Sequence, residues 1–74
     1  MNKQFKKIER KVETLLRSHS AIYSVGSWSG REVKVTLQNL DAAYIKFSML
    51  SPASFQLSVC FGELPDINGT IHSI

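Results

Sequence analysis

The apolar residues change their period once along the chain. Near the N-terminus they fall at Phe5, Ile8, Val12, Leu15 and Leu16, in steps of three, four, three and one. At about 100° per residue these five occupy about 100° of arc, the stripe of a helix with one face on a core. From residue 21 the period is two. Val33, Val35 and Leu37 alternate with Glu32, Lys34 and Thr36. Ala43, Ile45, Phe47 and Met49 alternate with Tyr44, Lys46 and Ser48, and Phe55, Leu57, Val59 and Phe61 alternate with Gln56, Ser58 and Cys60. Such alternation marks strands with one buried face. Ala21–Val25 reads as a further short strand, 26–30 as a turn or hairpin loop, and Thr70–Ile74 as a last strand at an edge.

The segments between strands are short: Gln38–Ala42 and Ser51–Ser54 leave no room for a crossover, so neighbouring strands run antiparallel. The sequence predicts an α+β fold in two layers. One N-terminal amphipathic helix packs on one face of a four- to five-stranded antiparallel β-meander. Residues 1–74 form a single domain, with the helix over about 2–18 and strands over about 21–25, 31–37, 43–50, 54–61 and 70–74. Asn2 is placed to cap the helix. The helix stripe should cover the face carrying Val33, Val35, Leu37, Ile45, Phe47, Phe55, Leu57, Val59 and Phe61. The opposite face, with Lys34, Thr36, Tyr44, Lys46, Ser48, Gln56, Ser58 and Cys60, stays uncovered.

With 43% hydrophobic and 20% charged residues the chain is too apolar for disorder. No apolar run reaches the roughly 18 residues of a membrane span, so no membrane partner is expected. The charged N-terminus is unlike a signal peptide. The single Cys60 cannot form an internal disulfide. A cytoplasmic module is the expectation.

Charge is unevenly placed. Residues 1–17 carry a net +4 and residues 18–74 a net −1. On the helix, Lys3, Lys6, Lys7, Arg10 and Arg17 lie within about 100° of arc opposite the apolar stripe. The order is unfavourable for the helix itself: lysines crowd its positive N-terminal end, and Lys3–Lys7, Lys6–Arg10 and Lys7–Lys11 are like-charge pairs at i, i+4. Glu13–Arg17 is the one favourable pair at that spacing. A lysine-rich face can simply be a solvated one; it can also be built for a polyanion or an acidic partner.

No catalytic signature is present: there is no G-x-S-x-G, P-loop or G-x-G-x-x-G. His19 and His72 are too isolated to define a metal site. His19 suits the helix C-terminus, His72 a strand surface, and Cys60 a filler on a regular strand. No enzyme activity, cofactor or metal is expected. Trp28 stands apart, set among Gly26, Ser27, Ser29 and Gly30. It either folds back over the small core or anchors a partner or nucleobase.

The residues favour a small binding protein that grips the nucleic-acid phosphate backbone. Lys3, Lys6, Lys7, Arg10 and Arg17 would supply the main contact, with Trp28, Arg31, Lys34, Tyr44 and Lys46 as additions. The alternative is an inhibitor or adaptor whose basic helix occludes an acidic protein surface, such as a nucleic-acid-binding groove. The uncovered sheet face and exposed edges make a homodimer possible.

Overall fold

The computed structural model describes residues 3–74. Asn2, the expected cap, lies outside them. Helix α1 spans Lys3–Arg17 and is followed by strands β1 (Ile22–Ser29), β2 (Glu32–Leu37), β3 (Ala42–Ser51), β4 (Ser54–Phe61) and β5 (Ile71–Ser73). The strands form one antiparallel sheet in chain order, β1-β2-β3-β4-β5. The α+β, two-layer expectation holds.

The two periods meet in one core. Ile8, Val12 and Leu16 of α1 are fully buried against Val33, Val35, Ala43, Ile45, Phe47, Phe55 and Leu57 of the sheet. Phe5 and Leu15 pack at its margin. Phe47 is the aromatic centre: Phe5, Trp28 and Phe55 meet it edge-on, with centroids 5.9, 5.7 and 6.5 Å away.

The segment between β4 and β5 has the composition of a plain loop, yet it completes the core. Leu64 and Ile67 are buried there. Its backbone turns on itself, with the Ile67 and Asn68 N–H groups donating to the Leu64 carbonyl. Gly69 N–H donates to the Leu57 carbonyl, and Val59 N–H donates to Asn68 Oδ1. A small domain with one helix has an open end, and these two side chains close it.

Three further expectations need correction. Residues 26–30 are not a loop: β1 continues to Ser29, and only Gly30 and Arg31 turn the chain into β2. The irregular spacing there is a β-bulge, in which Val25–Trp28 of β1 spans Val35–Val33 of β2 with one residue extra. Gly26 lies in it, and a Cβ there would stand 3.0 Å from the Lys34 carbonyl oxygen. Phe61 does not face the core. Tyr44 pairs with Phe61 but Ile45 pairs with Val59, so Cys60 is an extra residue and the chain flips by one position. Phe61 therefore points to the open face and is 63% exposed. Cys60, expected as a filler on a regular strand, is that bulged, exposed residue.

The β2–β3 turn holds a strained residue. Leu40 has φ 70 and is 75% exposed. This left-handed conformation costs a residue with a Cβ about 1–2 kcal/mol. Leu40→Gly removes that strain while freeing the unfolded chain by about 0.4–1 kcal/mol. The net expectation is a gain of about 0.5–1 kcal/mol in urea unfolding; a loss of stability would contradict it.

Candidate nucleic-acid interface

The apolar stripe fixes how α1 is rolled, and the roll fixes where its charges go. With Ile8, Val12 and Leu16 against the sheet, Lys3, Lys7, Arg10 and Arg17 form a ridge on the outward side. All four are exposed. The ridge runs for about 21 Å, fourteen steps of about 1.5 Å. Lys6 is also exposed and leans to the β1 side.

The helix's own acids are drawn off this ridge. Glu9 and Glu13 are half-buried on the β1 flank, lining a groove with Phe5, Lys6, Trp28 and Arg31. Trp28 Nε1–H donates to Glu13 Oε1 at 2.6 Å, and the other Glu13 oxygen lies 3.7 Å from Arg17. On the opposite flank Lys11 donates to the Ser73 carbonyl and ties α1 to β5. Among the described residues, the ion pairs are Arg17–Glu13 and His19–Asp66; Lys3, Lys6, Lys7 and Arg10 have no carboxylate partner. The expected Glu13–Arg17 pair is present, and the like-charge repulsion along the ridge is left unrelieved.

The candidate residues do not share one surface. Lys34, Tyr44 and Lys46 alternate with the buried Val33, Val35 and Ile45, which puts them on the sheet face opposite the helix. Trp28 is half-buried, its ring against Phe47 and its indole N–H held by Glu13. It closes the core beneath the helix, and its exposed part lines the groove that Lys6 and Arg31 share. Arg31 stacks its guanidinium over Phe5, 4.9 Å from the ring centroid, at the N-terminal end of α1. Of the additions, Arg31 and Trp28 adjoin the helix charges, both lining the groove with Lys6.

The isolated titratable residues have structural partners. His19 Nε2 lies 2.6 Å from Asp66 Oδ2, and its Nδ1 accepts from the Ala21 N–H at 3.0 Å. Nε2 is then the donor, and the ring clamps the end of α1 to the β4–β5 segment. His72 stacks on Phe55. Partial desolvation and the adjoining Glu32 carboxylate push the Cys60 thiol above its ordinary value, away from thiolate chemistry. Among the described residues no three His, Cys, Asp or Glu side chains are placed to hold a metal ion, and no helix is long and apolar enough to cross a membrane.

The His19 hydrogen bond holds the Asp66 carboxyl below its ordinary value. That stabilisation is present above the unfolded-state pKa and is lost as pH falls through the lower folded-state value. NMR titration should give an Asp66 midpoint that is depressed in the wild-type chain and moves upward in His19→Ala. Equal midpoints in the two proteins would contradict the clamp.

No protein-family model, curated protein or solved structure matches this chain.

Proposed function

We propose that the protein is a non-enzymatic binding module that engages the phosphate backbone of nucleic acid through the outward ridge of α1. The observation that carries this is the set of exposed, carboxylate-free cations Lys3, Lys6, Lys7 and Arg10 on a helix whose acids, Glu9 and Glu13, line the β1 flank. Lysine and arginine in this arrangement neutralise phosphates and release counterions without reading bases. Trp28 lies in the groove beside the ridge with its ring edge on Phe47 and its N–H held by Glu13, so phosphate contact dominates and binding is expected to depend little on sequence. A cytoplasmic location and a reduced Cys60 thiol go with this reading. The open sheet face is assigned a second copy of the chain as its partner.

The test is titration of mixed-sequence duplex DNA and single-stranded RNA with the wild-type protein and the Lys6→Gln, Lys7→Gln, Arg10→Gln triple variant. Every phosphate left without its cation weakens electrostatic binding, so the triple variant should bind at least about tenfold more weakly at low salt. Its thermal unfolding should be no worse than wild type, because three residues leave a repulsive array. Unchanged affinity would refute the ridge. The second reading, occlusion of an acidic protein surface, rests on the same exposed cations, which pair with carboxylates as they do with phosphates. It is favoured if polyglutamate binds the wild-type protein and not the triple variant while neither nucleic acid binds.

A further inference from the structure

The sheet face turned away from α1 has an aromatic pair at its centre. Tyr44 and Phe61 face each other across β3 and β4, with centroids 6.0 Å apart and rings at 70°. Phe61 is there only because of the bulge at Cys60. Unbroken alternation after Phe55, Leu57 and Val59 would have turned it inward. Gly62 then continues the chain at φ +95, where a Cβ would stand 2.7 Å from Ala43 Cβ. Two backbone irregularities thus hold a large apolar ring in an exposed place, and bulges that re-aim a side chain are features to be explained rather than defects.

On the β2–β3 side of this pair stand Glu32, Lys34 and Lys46. Lys34 lies opposite Tyr44, and Glu32 lies opposite Lys46. None of the three is in an ion pair among the described residues. A twofold axis through the aromatic pair would set Glu32 of one copy against Lys34 or Lys46 of the other, twice over. The face is therefore complementary to itself, apolar at the centre and of mixed charge around it. The edges offer less: β1 is interrupted by two register shifts, and β5 has three residues. Five strands about 4.8 Å apart and about seven residues long on average make a face of roughly 550 Å². That is at the low end for a specific interface, so association should be reversible in the micromolar range.

We propose that the chain forms a twofold dimer through this face, centred on Tyr44 and Phe61, and that the dimer bridges two stretches of nucleic acid. The helices lie on the far side of each sheet, so a face-to-face pair carries its two basic ridges on opposite outer surfaces. Neither ridge is covered by the dimer, and both cannot reach one straight duplex at once. The bridging half rests on the ridge reading; the dimer half does not.

Sedimentation equilibrium without nucleic acid, across the micromolar range and under reducing conditions, tests the dimer. Wild type should show a monomer–dimer equilibrium, and Phe61→Lys should weaken it by about tenfold or more by placing two new like charges, one from each copy, at the axis. Phe61 is exposed, so this variant should keep its far-ultraviolet circular dichroism. A bead-bound duplex with a second, labelled duplex in solution tests bridging. Wild type should capture the label, and Phe61→Lys should bind the bead but capture little. A wild-type monomer at all concentrations, or Phe61→Lys dimerising as tightly as wild type, overturns the interface. A dimer that coats the bead and captures nothing overturns the bridge. A dimer that fails to bind even the first duplex overturns the ridge and the bridge while supporting the interface.

Discussion

Phe47→Ala is expected to destabilise the fold by about 3–5 kcal/mol. Phe47 is fully buried, on the central strand, and three aromatic rings meet its edges. Truncation leaves a cavity between the helix and the sheet that Phe5, Trp28 and Phe55 cannot all collapse into, and it removes ring contacts worth about 0.5–1.5 kcal/mol each beyond their area. A 74-residue chain has a total stability of roughly 4–11 kcal/mol. The loss is therefore a large share of the total and should lower the urea midpoint steeply. Phe47→Leu keeps most of the volume and should remain folded with a clearly lower urea midpoint. A loss below about 1 kcal/mol for Phe47→Ala would show that the core is not organised around this ring.

Gly62→Ala carries the second large effect. At φ +95 any residue with a Cβ meets backbone strain of about 1–2 kcal/mol. The new Cβ would also stand 2.7 Å from Ala43 Cβ and 3.0 Å from Ala43 Cα, and overpacking of that kind costs a further 1–3 kcal/mol, roughly. The neighbour is strand β3 itself, not the end of a flexible side chain, so relief requires the sheet to shift. The expected total is about 2–5 kcal/mol. Ala43→Gly separates the causes in part: in the double variant the 2.7 Å contact with Ala43 Cβ is gone, while the backbone strain and the close approach to the Ala43 Cα and the Ala42 carbonyl oxygen remain. A double-mutant cycle should show coupling of about 1 kcal/mol or more, and strict additivity would rule out the contact.

What is legible in the sequence follows from periodicity. The helix stripe Phe5, Ile8, Val12, Leu15, Leu16 and the alternation in β2 and β3 specify the element, the buried face and the antiparallel order, because short connections permit nothing else. The places where the sequence misleads are those where one extra residue resets the alternation. In β1 the bulge around Gly26 and Ser27 turns Trp28 inward, so a strand reads as a glycine-rich loop with a stranded tryptophan. In β4 the bulge at Cys60 turns Phe61 outward, so an exposed ring reads as core. A period-two pattern carries no mark of such a slip; the signal available is the glycine beside each, Gly26 and Gly62. Leu64 and Ile67 escape a reading by pattern because Gly62–Gly69 is rich in turn formers, and two apolar residues among them show no period.

The candidate site is legible to the same degree. The basic side of α1 follows directly from helical spacing, and the structure leaves those side chains exposed. The added residues Lys34, Tyr44 and Lys46 belong to a different surface because the strand pleat sends them away from the helix. Trp28 can be related to Glu13 only by knowing that β1 packs beside α1. Helix and sheet therefore present two separate surfaces, one basic and one self-complementary, joined by a shared core.

The salt dependence of duplex binding tests the basic ridge most directly. If Lys3, Lys6, Lys7 and Arg10 each neutralise a phosphate, the logarithm of the association constant should fall against the logarithm of salt concentration with a slope of roughly −3.6. Replacing Lys6, Lys7 and Arg10 by glutamine should bring the slope to about −1. Binding that ignores salt, or a slope unchanged by the three substitutions, would contradict the account.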